Sequence, residues 1–344
     1  MNRSLVRWIL VVLMGLALTL VLSSPNMAEA ELVAENGILS MNIKEGGIPP
    51  LEDNWTFQPD KNEKKKETHP ASYEDSTIKV TLEQDNITHK LVSGPHKGSK
   101  QTDEAWTVRI KINHVSQLRT AFAQDTAKGH GTADIVSVCK QKNAVVMMNG
   151  DYYKQAPAKG YTVRQGEAIK DTTENSKGII FDMLLIDSEG DFHAIYEADD
   201  AKIKAYVAEH LTPEGRTVLD TFNIGPFLVV NGEVQDVKNT QVARTNTYEW
   251  QYPIMRIAIV QTGHLEYAIV YTNGLGNRKS GLSMEEFANF VAEKCPDAIL
   301  AYNLDGGGSA NVAAHNERIH VQNKYIRKVN DFIYFASAEP EKDE

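Results

Sequence analysis

Two short runs hold the residues best suited to chemistry. Asp305-Gly306-Gly307-Gly308-Ser309 sets a carboxylate and a hydroxyl around three successive glycines. Glycine loses more conformational freedom on folding than any other residue, so three in a row are costly in a purely structural loop. Lacking side chains, their N–H groups can come close to a ligand and hold an anion or a sugar oxygen. The plainer alternative is a tight turn, for which Asp-Gly is a common opening. Asn149-Gly150-Asp151-Tyr152-Tyr153 repeats the theme, with two rings against which the apolar face of a sugar can pack. An Asn-Gly turn with core aromatics would account for the same residues. The two aspartates together point further, because a glycoside-cleaving site needs two carboxyl groups, one as acid or base and one as nucleophile or stabiliser.

Arg256 stands directly before the apolar run Ile257-Ala258-Ile259, an unusual position for a surface charge. There it could clamp a phosphate through two parallel N–H bonds or close a salt bridge at a strand end. Arg119, Arg164 and Arg244 are further cations with weaker claims. Other chemistries have little to stand on. The ten histidines form no H-E-x-x-H motif, so no metal site is expected. There is no G-x-S-x-G elbow and no evident histidine partner for Ser309. Nothing in the sequence decides for or against a cofactor.

The elements that must position these residues follow from periodicity. Thr77-Ile78-Lys79-Val80-Thr81-Leu82 and the stretch from Trp106 to Ile112 alternate as strands do. Asn231-Gly232 between Phe227-Leu228-Val229-Val230 and Glu233-Val234 predicts a hairpin with a type I′ turn, and further hairpins are expected around residues 188–190 and 262–263. Thr132 is the expected cap of a helix over Ile135, Val138 and Cys139, followed by the apolar run ending at Asn149. Ser283 and Glu286 form a capping box opening a helix through Phe287, Phe290 and Val291, followed by Ala298-Ile299-Leu300-Ala301-Tyr302 and then Asn303-Leu304-Asp305. The same unit therefore occurs twice: helix, cysteine, apolar strand, Asn-x-Asp at the strand's end. This pattern predicts an α+β fold, a single domain with a mixed β-sheet and packed helices, and ligands in such sheets gather beyond the carboxyl ends of strands. Cys139 and Cys295 would pair if those strands lay side by side; otherwise they are buried thiols.

The chain of 344 residues is 42% hydrophobic and 24% charged, enough for a large core. Its net charge of -10 argues against a nucleic-acid partner. Arg3 and Arg7 precede an apolar run over residues 8–22 and an Ala28-Glu29-Ala30 pattern. This reads as a signal peptide over residues 1–30, cleaved after Ala30, or as an uncleaved membrane anchor. Either places the body outside the cell or on its surface, touching the membrane only through that segment. Residues 31–75, with the run Lys61-Asn62-Glu63-Lys64-Lys65-Lys66-Glu67, read as a flexible tether, leaving 76–338 as the domain.

From about Ser76 to Phe335 the sequence resembles the phosphodiester glycosidase family. Six segments carry the resemblance in order: Gln117 to Ala123; Met148-Asn149-Gly150-Asp151-Tyr152-Tyr153; Gly160 to Gly166; Asn223-Ile224-Gly225-Pro226-Phe227-Leu228-Val229; Asn303 to Ser309; and Arg327 to Tyr334. The chain keeps Arg256 but lacks the threonine and second glycine common after it, and Ser309 is followed by Ala310-Asn311 rather than by further hydroxyls. The resemblance implies hydrolysis of a sugar-1-phosphodiester at the anomeric carbon of an envelope or exopolysaccharide glycan. It implies Asp305 and Asp151 as the carboxylates and Arg256 as the phosphate contact. Asn149, Asn303, Gly306, Gly307, Gly308, Ser309, Arg164 and Gly225 are the implied substrate-binding residues. Two other readings compete: an envelope glycan-binding protein without catalysis, favoured by the departures around Arg256 and Ser309, and a glycosidase acting on ordinary glycosidic bonds.

Overall fold

The computed structural model describes residues 46–61, 68–90, 97–125, 131–151, 161–174, 179–240, 251–274, 281–319 and 326–338. The proposed signal segment, Tyr152, Tyr153 and Arg244 lie outside the described residues, as does most of the lysine-rich run.

A nine-stranded sheet forms one wall. Its order is β1 (Trp55–Pro59), β2 (Thr68–Glu74), β3 (Ile78–Lys90), β4 (Lys100–Ile112), β15 (Glu266–Thr272), β14 (Arg256–Gly263), β16 (Leu300–Asn303), β12 (Phe227–Val230) and β13 (Glu233–Val234). Facing it is a five-stranded sheet in the order β18 (Glu317–Arg318), β17 (Val312–Ala314), β6 (Ala144–Asn149), β19 (Asp331–Ala336) and β5 (Leu118–Phe122). Three strands, β10 (Phe192–Ile195), β9 (Met183–Asp187) and β11 (Val218–Phe222), make a third sheet, and β7 (Thr162–Arg164) pairs with β8 (Glu167–Lys170). The alternation read from the sequence places Ile78, Val80 and Leu82 inward and Lys79 and Glu83 outward on β3. The main core fills the space between the two larger sheets: Val108, Ile257, Ile259 and Tyr302 from one, Val146, Met148, Ile333 and Phe335 from the other.

Helices cover the outer faces. Helix α1 (Ile135–Gln141) lays Ile135, Val138 and Cys139 on the five-stranded sheet. Its cap is Asp134, whose Oδ1 accepts the Val136 N–H at 3.0 Å, rather than Thr132. Helix α2 (Asp200–Tyr206) packs Ile203 on the three-stranded sheet. Helix α3 (Met284–Lys294) opens with the expected Ser283–Glu286 capping box and sets Phe287, Ala288 and Val291 against Ala258, Val260 and Val270. The three hairpins form as read, with positive φ at both Asn231 (49°) and Gly232 (77°).

Two expectations are corrected. The protein is mostly β-sheet with few helices, and among the described residues its ladders are antiparallel, so the sheets are not mixed. The helix–strand units misled because β5–α1–β6 and β15–α3–β16 are crossovers between parallel strands. In each, an antiparallel strand, β19 or β14, sits between the two and keeps them from pairing. The tether reading fails from residue 46 onward. The Gly47 N–H donates to the Lys142 carbonyl at 2.8 Å, and β1 and β2 extend the large sheet through pairing with β3. Trp55 and Tyr73 pack ring to ring at 4.9 Å in the core, and burying each is worth about 1.5–3 kcal/mol. The charged run between these short strands masked them. Of the two alternatives left open for the cysteines, the structure has buried thiols: Cys139 and Cys295 are both free. They sit in separate cores on opposite outer faces, where burial pushes the thiols up to about 12 and about 11 respectively.

Candidate active site

The two Asn-x-Asp strand ends belong to different sheets, and they meet. The Asn149 Nδ2 donates to the Asp305 carbonyl at 2.9 Å and to the Gly150 carbonyl at 3.3 Å. Its Oδ1 accepts the Asn311 N–H at 2.9 Å. The Asp305 N–H reaches the Gly150 carbonyl at 3.5 Å. Asn149 is fully buried and is engaged with main chain on both sides of its amide. The side chain expected to touch a sugar is thus the clip joining β6 to the loop after β16.

The glycine run turns back over the start of β14. A side chain on Gly306 would begin 2.8 Å from the Met255 carbonyl oxygen and 4.0 Å from the Arg256 Cδ, so this position demands glycine and lies beside the Arg256 stem. Gly307 has φ +60° and donates its N–H to Met255 O at 2.8 Å, and Ser309 N–H donates to Gly306 O at 3.2 Å. One of the glycine N–H groups expected to cradle an anion, that of Gly307, is therefore already paired with main chain. The side chains are aimed differently. Asn303 donates Nδ2 to the Gly225 carbonyl at 2.7 Å, while its Oδ1, though buried, has no partner. Ser309 Oγ is likewise buried without a partner. A buried polar atom left unpaired costs about 1–3 kcal/mol, and both sit at the ends of the same short loop. Gly225 itself takes φ +59°.

Arg256 is 2% exposed. Its Nε donates to the Leu282 carbonyl at 3.1 Å and its Nη2 to the Tyr252 carbonyl at 3.0 Å, while its main-chain N–H donates to Thr272 Oγ1. Asn311 stands where the resemblance expects a hydroxyl. It donates to Ser309 O at 2.9 Å and accepts from Arg318 Nε at 2.9 Å, so it braces the loop.

Behind Asp151 lies a charge cluster that the sequence did not disclose. Arg164 donates Nε to Asp331 Oδ1 at 3.1 Å and Nη2 to Asp331 Oδ2 at 2.7 Å, and the same Nη2 reaches Asp151 Oδ2 at 3.3 Å. The guanidinium carbon lies 4.2 Å from the centre of the Phe222 ring. Burial works against the charge on Arg164, but Asp331 and then Asp151 more than offset it and hold the group protonated. Asp151 accepts from the Asn223 N–H at 3.1 and 3.2 Å. Burial raises its carboxyl to about 7; Arg164 opposes the rise and Asp331 adds to it. Asp220, bonded by Thr120 Oγ1 at 2.9 Å and by Gln165 N at 3.0 Å, is pushed to about 6, again chiefly by burial. Arg164, expected to bind substrate, thus organises carboxylates. Asp331 and Asn223 fall inside two of the six resembling segments, which was the one signal available for them; Asp220 had none. Among the described residues, no group of three or more His, Cys, Asp or Glu is placed to hold a metal ion.

A model of the phosphodiester glycosidase family matches residues 142–336, a span holding both strand ends, Arg256 and the glycine loop. The chain belongs to the phosphodiester glycosidase family. Among solved structures it resembles the zebrafish N-acetylglucosamine-1-phosphodiester alpha-N-acetylglucosaminidase catalytic domain auto-inhibited by its pro-peptide, at 14% identity with a TM-score of 0.56 over 76% of this chain and 88% of that one. It is also similar to a hypothetical protein from Synechocystis, at 11% identity with a TM-score of 0.45 over 83% of this chain and 80% of that one. No curated protein sequence matches it.

Proposed function

We propose that this chain is an exported hydrolase that cleaves a sugar-1-phosphodiester. Water adds across the anomeric C1–O bond, giving a sugar with a free C1 hydroxyl and a phosphate monoester. The observation that carries the reading is the pair of unpartnered, buried side-chain oxygens, Asn303 Oδ1 and Ser309 Oγ, at the two ends of a loop resting on Arg256. An acceptor and a hydroxyl suit sugar hydroxyls, and a guanidinium suits a phosphate. The name of the similar zebrafish protein, an N-acetylglucosamine-1-phosphodiester alpha-N-acetylglucosaminidase, supports the same substrate class.

A phosphate monoester leaves as a stabilised anion, so charge stabilisation outweighs protonation of the leaving group. In this reading Arg256 meets the phosphate, Asn303 and Ser309 meet the sugar, and Asp305 and Asp151 are the two carboxyl groups. Asn149 and Arg164 act from behind, holding those carboxyl groups in place. The N-terminal apolar segment supports export, and with it a phosphate-linked glycan of the envelope or an exopolysaccharide as substrate.

The test is release of reducing sugar by the purified chain from a nucleotide sugar such as UDP-GlcNAc and from envelope phosphoglycans, with aryl glycosides beside them. Asp305→Asn is expected to lose about a thousandfold or more in kcat, which is about 4 kcal/mol of transition-state stabilisation, with an unchanged melting temperature. Arg256→Ala is expected to harm phosphate-linked substrates far more than aryl glycosides. Wild-type turnover confined to aryl glycosides, or wild-type rates in Asp305→Asn, would overturn the reading; glycan binding without any turnover would favour the non-catalytic alternative.

A further inference from the structure

Three carboxylates surround one guanidinium in the interior, and they are not equally served. Asp331 receives two Arg164 N–H bonds, at 3.1 and 2.7 Å, and the Asp151 main-chain N–H at 2.8 Å. Asp220 receives the Thr120 hydroxyl at 2.9 Å, the Gln165 N–H at 3.0 Å and the Gln165 Nε2 at 3.1 Å. Asp151 has the shared Asn223 N–H and one long contact, 3.3 Å, to Arg164. All three are buried, Asp331 and Asp220 completely. Asp331 also touches the chain on which Asp151 stands: a side chain on Gly150 would start 2.4 Å from Asp331 Oδ2, and the Gly150 N–H donates to the Asp331 carbonyl at 2.8 Å.

We propose that Asp331 is a positioning residue of this site, locking the Gly150–Asp151 main chain with one carboxylate oxygen and drawing Arg164 away from Asp151, so that Asp151 is held as the proton-bearing carboxyl. The inference rests on the hydrolase reading for its kinetic consequence, though not for its electrostatics. If all three carboxylates were ionised beside one Arg, the cluster would hold two uncompensated negative charges in a buried space, which is costly. A proton relieves this most cheaply where N–H donors are fewest and longest, at Asp151. The groups facing Asp151 agree. Arg164 on β7 favours its ionised form but is engaged more closely by Asp331. Asp331 on β19 disfavours that form through its charge, and the Tyr302 hydroxyl on β16 gives its proton to the Asp182 and Phe222 carbonyls instead. Asp305 meets this segment through its main chain, at the Gly150 carbonyl. Asp220 on β11 faces Arg164 and Asp331. Asp151 is then the acid of the pair.

Two measurements test this. In the first, kcat for a sugar-1-phosphodiester is followed against pH in the wild type and in Asp331→Asn, with thermal melts as a folding control. Removing the charge lets Arg164 turn to Asp151. The alkaline limb of kcat is expected to move down by about one pH unit, a loss of about fivefold at the wild-type midpoint and about tenfold well above it, with KM within about twofold, since binding and chemistry separate in this way when only the transition state is affected. A uniform loss with the limb unmoved overturns the proposal. In the second, the wild-type chain with 13C-labelled aspartate is titrated by NMR, the Asp151 carboxyl being assigned from its loss in Asp151→Asn. It is expected to titrate near 7, and titration in the ordinary carboxylate range overturns the proposal even if Asp331→Asn does not fold. The second readout needs no turnover, so a chain that cleaves no phosphodiester would refute the hydrolase reading and leave this inference to be decided by the titration.

Discussion

The two Asn-x-Asp strand ends look alike in sequence and do opposite work. At the end of β6, everything is paired inward: the Asn149 amide with main chain, Gly150 against Asp331, and Asp151 with Asn223 and Arg164. At the end of β16, Asn303 keeps an oxygen without a partner, and the loop that follows presents a second one at Ser309. One end is closed by its own partners around a buried charge cluster; the other keeps two buried oxygens without a partner. Identical residue types at matching strand positions therefore do not imply matching roles. The deciding factor is which neighbours each sheet brings to its end: β19 supplies Asp331 beside β6, while β14 supplies Met255 and Arg256 beneath the loop after β16.

Equivalent substitutions at the two ends are expected to part company. The largest gap is expected for the glycines. Gly150→Ala drives a methyl into the Asp331 carboxylate and is expected to cost about 3 kcal/mol, at the upper end for overpacking. Gly307→Ala meets open space and is expected to cost only the penalty of φ +60°, about 1 kcal/mol. Chemical denaturation of both variants measures this, and equal losses would erase the distinction. Next come the asparagines. Asn149→Ala leaves the Asn311 N–H and the Asp305 carbonyl without their partner and is expected to lose about 2 kcal/mol or more of stability. Asn303→Ala removes an oxygen that lacks a partner and one bond, from Nδ2 to the Gly225 carbonyl, so it is expected to lose about 1 kcal/mol, less than Asn149→Ala, while KM rises several-fold. A KM effect at Asn149 with full stability would reverse the assignment.

The smallest effect is one of slope. Asp220 is held near 6, above its unfolded value of about 4. Its contribution to stability is full below about pH 4 and is lost as pH rises through 6, because the folded state keeps a proton that the unfolded state releases. Asp220→Asn removes that dependence. Between pH 4 and pH 7.5 the wild type is expected to lose on the order of 1–3 kcal/mol relative to the variant. Denaturation curves at both pH values check this, and parallel behaviour would show that Asp220 does not hold its proton up to pH 6.

The sequence disclosed what depends on near neighbours. The hairpins, the Ser283 capping box, both Asn-x-Asp ends and the alternation of β3 follow from local periodicity and turn chemistry. What it hid depends on distant partners. For Asp331 the segment Arg327 to Tyr334 is the one signal, since nothing local links it to Arg164 or Gly150. Arg164 read as one more cation until Asp151, Asp220 and Asp331 were seen around it. The crossovers suggested parallel pairing because the inserted strand in each comes from elsewhere in the chain. The early strands resemble a tether in sequence because short strands split by a lysine-rich run lack a long pattern, and their anchors, Trp55 and Tyr73, are single residues.

The placement of β19 also has a consequence for the order in which the protein is made. Its first residue, Asp331, lies 180 residues beyond Asp151, and β19 separates β5 from β6 in the finished sheet. A nascent chain that has already emerged through the glycine loop still lacks the strand that fills that gap and the carboxylate that grips Arg164. Contacts of such long sequence separation form late. The charge cluster behind Asp151 is therefore completed only once residue 331 has been made, and a chain cut short before it would carry both Asn-x-Asp strand ends and the glycine loop yet lack the carboxylate that grips Arg164.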